Sequence, residues 1–269
     1  MVSILLPTYN RANVIKTSIE SVLAQTYQDF ELIIIDDGSQ DDTKTALRHY
    51  LENPKIIYTY RENGGCQAAR NTGSRLAKGE WLAFADSDDL WEKDKLEKQM
   101  AYIVAHPDKA LVSCAYDLTS PNGIVLRIPP NPEQGGPSNP ESFLPGMLLQ
   151  NWVGSPTILV KRELYLALEG LNQDYPALDD WELSLRLLKK GFSLGFVNEI
   201  LVHAFVSEEG MSGNAAAYYD ARCRLLADYK DLYESCGVFE KACQDILKRA
   251  ENDGILNPVK KIMMLRLSH

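Results

Sequence analysis

The sequence predicts an α/β fold built on a mostly parallel central sheet flanked by helices, and three observations carry that prediction. Short apolar runs alternate with helical patterns from the first residues onward. The runs are continuously apolar, as strands buried on both faces are. Each run then breaks off into a polar cluster, as expected where loops gather beyond the carboxyl ends of parallel strands and form a ligand site.

In order, Ile4-Leu5-Leu6 predicts the first strand, Val14–Leu23 a helix, Glu31–Ile35 the second strand and Asp42–Leu51 a helix. Lys55–Tyr60 gives a third strand, and Cys66–Ala77 a helix closed by Gly79. Trp81–Ala85 gives a fourth strand that runs into Asp86-Ser87-Asp88-Asp89, followed by a helical stretch from Lys93. Past Tyr116 the rhythm changes. Pro121-Asn122-Gly123 reads as a hairpin turn joining Ala110–Leu118 to Ile124–Ile128, and Pro129–Pro140 reads as a loop rich in proline. Helices are expected at Glu141–Gln150, Lys161–Leu168 and Asp180–Lys190, the last closed by Gly191, with strands at Phe192–Val197 and Ile200–Val206. Beyond Gly213 the pattern is helical to the end. The expected organisation is a main domain over 1–212, in two halves over 1–118 and 119–212, with a helical extension over 213–269.

Composition narrows the function. A net charge of −9 in 269 residues argues against nucleic-acid binding, which depends on clustered Lys and Arg. The five cysteines contain no Cys-x-x-Cys pair and are odd in number, which suits reduced thiols. The start of the chain does not read as a signal peptide, and no stretch is apolar for long enough to span a membrane. A cytoplasmic protein is expected, or one peripheral on the inner face of the membrane. The basic, apolar stretch 259–267 can serve such contact, or pack on the body or on a second copy in a homodimer.

The chemistry concentrates at the strand ends. Several carboxylates at the close of an apolar strand cannot be buried unpaired, so Asp86, Asp88 and Asp89 call for a cation. Their hard oxygens suit Mn²⁺ or Mg²⁺, which take further ligands from substrate phosphates. Helix capping accounts for one or two of these acids and not for all of them. Asp36-Asp37-Gly38-Ser39, taken alone, reads as a strand exit and helix cap rather than as a base-binding turn. Asn63-Gly64-Gly65 can bring backbone N–H groups close to a ligand. Asp179-Asp180-Trp181-Glu182 opens a helix and serves either as its electrostatic cap or as a catalytic carboxylate.

Four segments, Val2-Ser3-Ile4-Leu5-Leu6-Pro7-Thr8-Tyr9-Asn10-Arg11, Ile34-Ile35-Asp36-Asp37-Gly38-Ser39, Ala69-Arg70-Asn71-Thr72-Gly73 and Asp86-Ser87-Asp88-Asp89, closely resemble successive motifs of the family 2 glycosyltransferases. The resemblance covers roughly residues 1–212 and implies a GT-A fold. It also implies inverting transfer of a sugar from a nucleotide-diphosphate donor, with UDP-sugar the expected donor, to a carbohydrate or lipid-linked acceptor in polysaccharide or glycoconjugate assembly. On it, Pro7, Tyr9, Arg11, Asp37, Asn63, Gly64, Arg70, Asp86 and Ser87 bind the nucleotide-sugar. Asp88 binds metal, with Asp86 and Asp89 beside it. Asp180 is the catalytic base, and Trp152, Asp179 and Trp181 lie on the acceptor side. The chain departs from the family pattern at Ser207, which stands where many relatives carry a His, with Glu208 and Glu209 as substitutes; His203, nearby on an apolar strand, reads as a satisfied structural histidine. Two other readings remain: a sugar nucleotidyltransferase, and a non-catalytic nucleotide-sugar-binding scaffold. No Gly-x-Gly-x-x-Gly follows the first strand, which disfavours a nicotinamide enzyme.

Overall fold

The computed structural model describes residues 1–120, 122–123, 125–128, 140–205 and 214–267. The elements run β1 (Val2–Thr8), α1 (Ile15–Leu23), β2 (Phe30–Asp36), α2 (Thr43–Leu47), β3 (Ile56–Tyr60), α3 (Cys66–Leu76), β4 (Trp81–Phe84), β5 (Leu90–Trp91) and α4 (Lys95–Ala105). They continue as β6 (Lys109–Thr119), β7 (Val125–Ile128), α5 (Pro140–Leu149), β8 (Leu159–Lys161), α6 (Arg162–Ala167), α7 (Asp179–Lys189) and β9 (Ser193–Phe205). Four helices follow: α8 (Ala215–Asp228), α9 (Lys230–Ser235), α10 (Phe239–Asn252) and α11 (Leu256–Leu267).

One nine-stranded sheet runs β3-β2-β1-β4-β8-β6-β9-β5, with β7 paired to β6. The strands β3, β2, β1 and β4 are parallel, as the βαβ rhythm predicts, and β8 joins antiparallel to both β4 and β6. The two strands expected at Phe192–Val197 and Ile200–Val206 are one long strand, β9, whose pairing with β6 shifts register around Cys114 and Ala115. A bulge there lets a single strand cross Asn198-Glu199, the polar break that suggested two.

Alternation along β1 and β2 sorts their side chains onto opposite faces. Val2, Ile4, Leu6, Leu32 and Ile34 pack with α1 and α4, whereas Leu5, Ile33 and Ile35 face the side of α3, α6 and α7. The helices beyond residue 213 have no core of their own. Tyr219, Leu225, Tyr229, Tyr233, Ile246 and Met263 belong to the same apolar cluster as Leu5 and Trp181. On α11 Val259 and Met263 are buried, and Arg266 pairs with Asp220 of α8 at 3.0 Å. The basic, apolar stretch is thus a packed helix, with Met264 and Leu265 on its outer side. Among the described residues, no helix is long and apolar enough to cross a membrane.

Gly79 does not close α3, which ends at Leu76 with Ala77 already extended. Instead, its N–H donates to Ser3 Oγ at 2.7 Å, and a Cβ there would sit 2.6 Å from the Ser3 nitrogen, so the residue permits close passage against β1. The expected hairpin turn is present: Gly123 has φ +80°, its N–H donates to Ser120 O at 2.9 Å, and β6 pairs with β7. The proline-rich loop over 129–139, and Ser207, Glu208 and Glu209, lie outside the described residues.

Candidate active site

The loops after β1, β2 and β4 meet the start of α7 around a cleft of about 660 Å³. The first two loops are stitched together. Asp37 N donates to Thr8 O, Asn10 N to Ser39 Oγ, Arg11 N to Thr43 Oγ1, and Gln40 N to Asn10 Oδ1, all between 2.8 and 3.0 Å. Asn10 takes the left-handed conformation at φ 52°, which an Asn tolerates better than most residues. Asp36 orients the turn, accepting from Ser39 N at 2.8 Å and from the Tyr58 hydroxyl at 2.8 Å.

Asp37 is buried and faces the third loop. It accepts from Gly65 N at 2.7 Å and from Gly64 N at 3.2 Å, and Arg61 Nη1 lies 3.0 Å away. The Gly64 and Gly65 N–H groups, expected to approach a ligand, are therefore spent on Asp37. Gly38, at φ +87°, lies so close to this loop that a Cβ would meet Asn63 N at 2.8 Å. Pro7, Tyr9, Arg11, Asp37 and Asn63 line the cleft, while Gly64 stands behind it, supporting Asp37.

The acids after β4 form the next wall. Asp86 is ion-paired with the buried Arg70 guanidinium, which also lies over the Phe84 ring at 5.1 Å. Arg70 thus partners the acids, while also lining the cleft where the nucleotide-sugar is expected. Asp88 is the more open acid, with Arg11 Nη2 at 3.7 Å. Asp89 is buried and accepts from Phe205 N at 3.3 Å. Burial and Asp86 push the Asp88 carboxyl up, and burial with Asp86 and Asp88 raises Asp89 further. This is a site with more negative charge than its own arginines neutralise.

Across the cleft stands Asp180, in the first turn of α7. Leu178, immediately before that helix, is held at φ 61°, a conformation costly for Leu, and the reversal carries Asp179 and Asp180 into the cleft wall. Asp180 Oδ1 accepts from Asn151 Nδ2 at 3.0 Å and from Trp181 N at 2.6 Å. Burial, with Asp179 beside it, pushes the Asp180 carboxyl up to about 7. Asp179 is buried, and its Oδ2 lacks a hydrogen-bond partner.

The two tryptophans expected on the acceptor side are enclosed rather than exposed. The Trp152 ring is 6 % exposed, packs edge-on to Phe143 and fills the space over Gly146, where a Cβ would fall 2.0 Å from Cη2. It is a core residue because the glycine leaves it a slot within α5. Trp181 is likewise buried, its Nε1 donating to Met147 O at 2.6 Å. His203 bridges Asp117 and Glu92 at 2.9 Å each, the satisfied structural histidine expected. Burial pulls its pKa down, and the two carboxylates more than restore it.

Sequence reasoning missed Tyr116, Ser155 and Tyr218 and did not single out Asn151, although all four line the cleft. Tyr116 lies between Asp180 and Asp89, and burial and both acids raise its phenol. Only Asn151 and Ser155 had a signal, since both are polar residues close to Trp152, which the resemblance places on the acceptor side.

A half-parallel sheet whose strand-end loops present acids opposite Asp179 and Asp180 defines a glycosyltransferase of GT-A type. The chain matches the model of Glycosyl transferase family 2 over residues 3–142 and belongs to that family. It is 34% identical to the putative teichuronic acid biosynthesis glycosyltransferase TuaG of Bacillus subtilis, over 80% of this chain and 82% of that one. It is 32% identical, over 70% of each chain, to the Escherichia coli protein WfgD, a UDP-Glc:alpha-D-GlcNAc-diphosphoundecaprenol beta-1,3-glucosyltransferase. Among solved structures, S. aureus TarS 1–349 in complex with UDP-GlcNAc superposes with TM-score 0.68 at 17% identity, covering 99% of this chain and 89% of that one. The mannosyltransferase PcManGT of Pyrobaculum calidifontis, in complex with GDP-Man and Mn²⁺, gives 0.64 at 20% identity, covering 98% and 83%.

Proposed function

We propose that this glycosyltransferase moves a sugar from a nucleotide-diphosphate donor, UDP-sugar by preference, to an acceptor hydroxyl in a single inverting displacement, in the assembly of a polysaccharide or glycoconjugate. The observation that carries the reading is the opposition of Asp180 to Asp86, Asp88 and Asp89 across one cleft.

Asp180 is the base. Asn151 and the Trp181 N–H hold its Oδ1, and the Ser155 backbone also approaches the carboxylate, so it is oriented to take the acceptor proton. The acceptor oxygen bonds to the anomeric carbon as the bond from that carbon to the donor phosphate breaks. The proton goes to Asp180, and the electron pair leaves with the nucleoside diphosphate. One displacement inverts the anomeric centre and needs no covalent intermediate. Asp37 is held rigid enough to accept from a base N–H, and Pro7 and Tyr9 flank that position.

The donor set fits a divalent cation. It consists of hard carboxylate oxygens, burial and Asp86 raise the pKa of Asp88, and Asp88, the least engaged, lines the cleft. Bound at Asp88 with Asp86 and Asp89, Mn²⁺ or Mg²⁺ supplies charge neutralisation for the departing diphosphate. Arg11 and Arg70 contribute fixed positive charge on the same side.

The similarity to WfgD, named for a UDP-Glc donor, and the fold shared with UDP-GlcNAc-bound TarS support the uridine preference. The test is calorimetric binding of UDP, dTDP, GDP and CDP with and without Mn²⁺. Manganese-dependent binding of UDP above the others is expected; no binding of any of the four would overturn the donor site.

A further inference from the structure

A second chamber of about 750 Å³ adjoins the donor cleft. The two share Tyr116, Asn151, Leu178 and Tyr218 as a common wall, so the chamber begins beside the Asn151 that holds Asp180. Its far side is built by α8 and α10. In a protein of net charge −9, its lining carries four cations, Arg222, Lys241, Lys248 and Arg249, against one carboxylate, Asp245, a local charge of +3.

Arg222 is 5 % exposed, and no carboxylate pairs with it among the described residues. Its guanidinium lies 4.3 Å from the Trp181 ring centre, and Nη2 reaches Leu149 O only at 3.4 Å. Nε and Nη1 make no well-formed hydrogen bond, and the nearby Tyr233 hydroxyl supplies a neutral contact without a countercharge. A buried guanidinium without a countercharge is costly unless an anion visits it. Arg249 lies at the mouth, its Nη1 donating to the Tyr218 hydroxyl at 2.8 Å, so it is tied to the wall shared with the donor cleft.

We propose that this chamber is the acceptor subsite and that it recognises a phosphoester group carried by the acceptor. The inference rests on the transferase reading above and names its acceptor class. A single carboxylate would leave most of this charge unanswered. A diphosphate or a phosphodiester chain carries enough negative charge and enough oxygens to engage the planar forks of Arg222 and Arg249 together. The sugar hydroxyl attached to that group then reaches past Tyr116 to Asp180. The phosphoester can come from a lipid diphosphate or from a phosphate-linked polymer.

The test is titration by tryptophan fluorescence, since Trp152 and Trp181 line the chamber. The probes are geranyl diphosphate, a glycerol-phosphate hexamer and, as the neutral control, geranyl glucoside. All are titrated in EDTA, so that no divalent cation draws phosphate to the aspartates. At least one phosphorylated probe is expected to bind tenfold or more tighter than the control, and which one identifies the source. Arg249→Gln and the double variant Lys241→Gln/Lys248→Gln should abolish that preference while binding UDP with Mn²⁺ as wild type does. These surface positions are chosen because Arg222→Gln can fail to fold; Arg222→Lys, which keeps charge but loses the fork, should weaken the same probe. Equal binding of charged and neutral probes, or a preference unchanged in all the variants, would overturn the subsite even with UDP binding intact. Loss of UDP binding in wild type alone would instead strike the donor reading.

Discussion

Asp180 is held where a carboxylate is most reluctant to ionise, buried and next to a second acid. That reluctance makes it a better proton acceptor once ionised, because a base with a pKa near working pH combines availability with driving force. Asp180→Asn preserves the shape and should lower kcat by about 10²–10⁴-fold while leaving UDP binding unchanged. Full activity in that variant would remove the base assignment. In the wild type the acid limb of kcat/KM should bend near pH 7, falling about tenfold per pH unit below it. The stability sign follows from the same shift. The folded state holds the proton on Asp180 above the range in which the unfolded chain releases it, so this residue's contribution to stability declines as pH rises from about 3.8 to 7. Asp180→Asn should therefore melt higher than wild type at pH 8, with the difference shrinking toward pH 4. Asp88 tests the other wall: Asp88→Ala should weaken UDP binding in Mn²⁺ on the order of 100-fold, the cost of deleting one partner of a buried charge contact, and far less in EDTA.

Among the elements, α3 joins the two halves of the site. Its Arg70 holds Asp86, and the next residue, Asn71, holds the segment that leads to α7. Asn71 Oδ1 accepts from the Tyr165 hydroxyl at 2.6 Å and from Leu171 N at 2.8 Å, while its Nδ2 donates to Leu171 O at 2.8 Å. Asn71→Ala leaves these groups unsatisfied in the core and should destabilise by about 2–4 kcal/mol in urea unfolding, with donor binding retained below the transition. Asn71 lies in a motif that the sequence offered as functional, and its work is structural. The elements that were legible were those with a physical signature in the chain. The strands β1 to β4 stood out because burial on both faces demands continuous apolar runs, and the acids stood out because unpaired carboxylates demand a partner. Two- and three-residue strands such as Leu90–Trp91 and Leu159–Lys161 leave no period to detect. The left-handed Leu178 has no signature at all, since nothing in a leucine announces φ 61°. The Asp37 contact with Gly64 and Gly65 joins residues 27 and 28 positions apart, and only the fold brings them together.

For the whole molecule, the question is whether the helices after residue 213 are an appendage or part of one cooperative unit. Their apolar faces answer it. Tyr229 donates its hydroxyl to Glu182 Oε1 of α7 at 2.7 Å, and the Tyr175 hydroxyl, from the loop before α7, donates to Asp228 of α8 at 2.7 Å. Arg222 of α8 stacks on Trp181, one residue after Asp180. The helix that presents Asp180 is therefore braced from behind by the C-terminal helices, and its position depends on them. Leu225 is fully buried in the shared cluster, so Leu225→Ala should cost about 2–5 kcal/mol, the range for deleting a core leucine side chain. If the unit is cooperative, calorimetry shows one transition in wild type and one, shifted down, in the variant, with activity falling only as the protein unfolds. If the helices were an independent domain, Leu225→Ala would split the trace. An early melt of the helices would then precede an unshifted melt of the sheet, with UDP binding surviving the first. The shared core and the two tyrosine hydrogen bonds argue for the single transition. They also explain why a chain cut after 213 should not yield the folded sheet domain: the cut strips the cover from Trp181 and leaves Tyr175 and Glu182 without these partners.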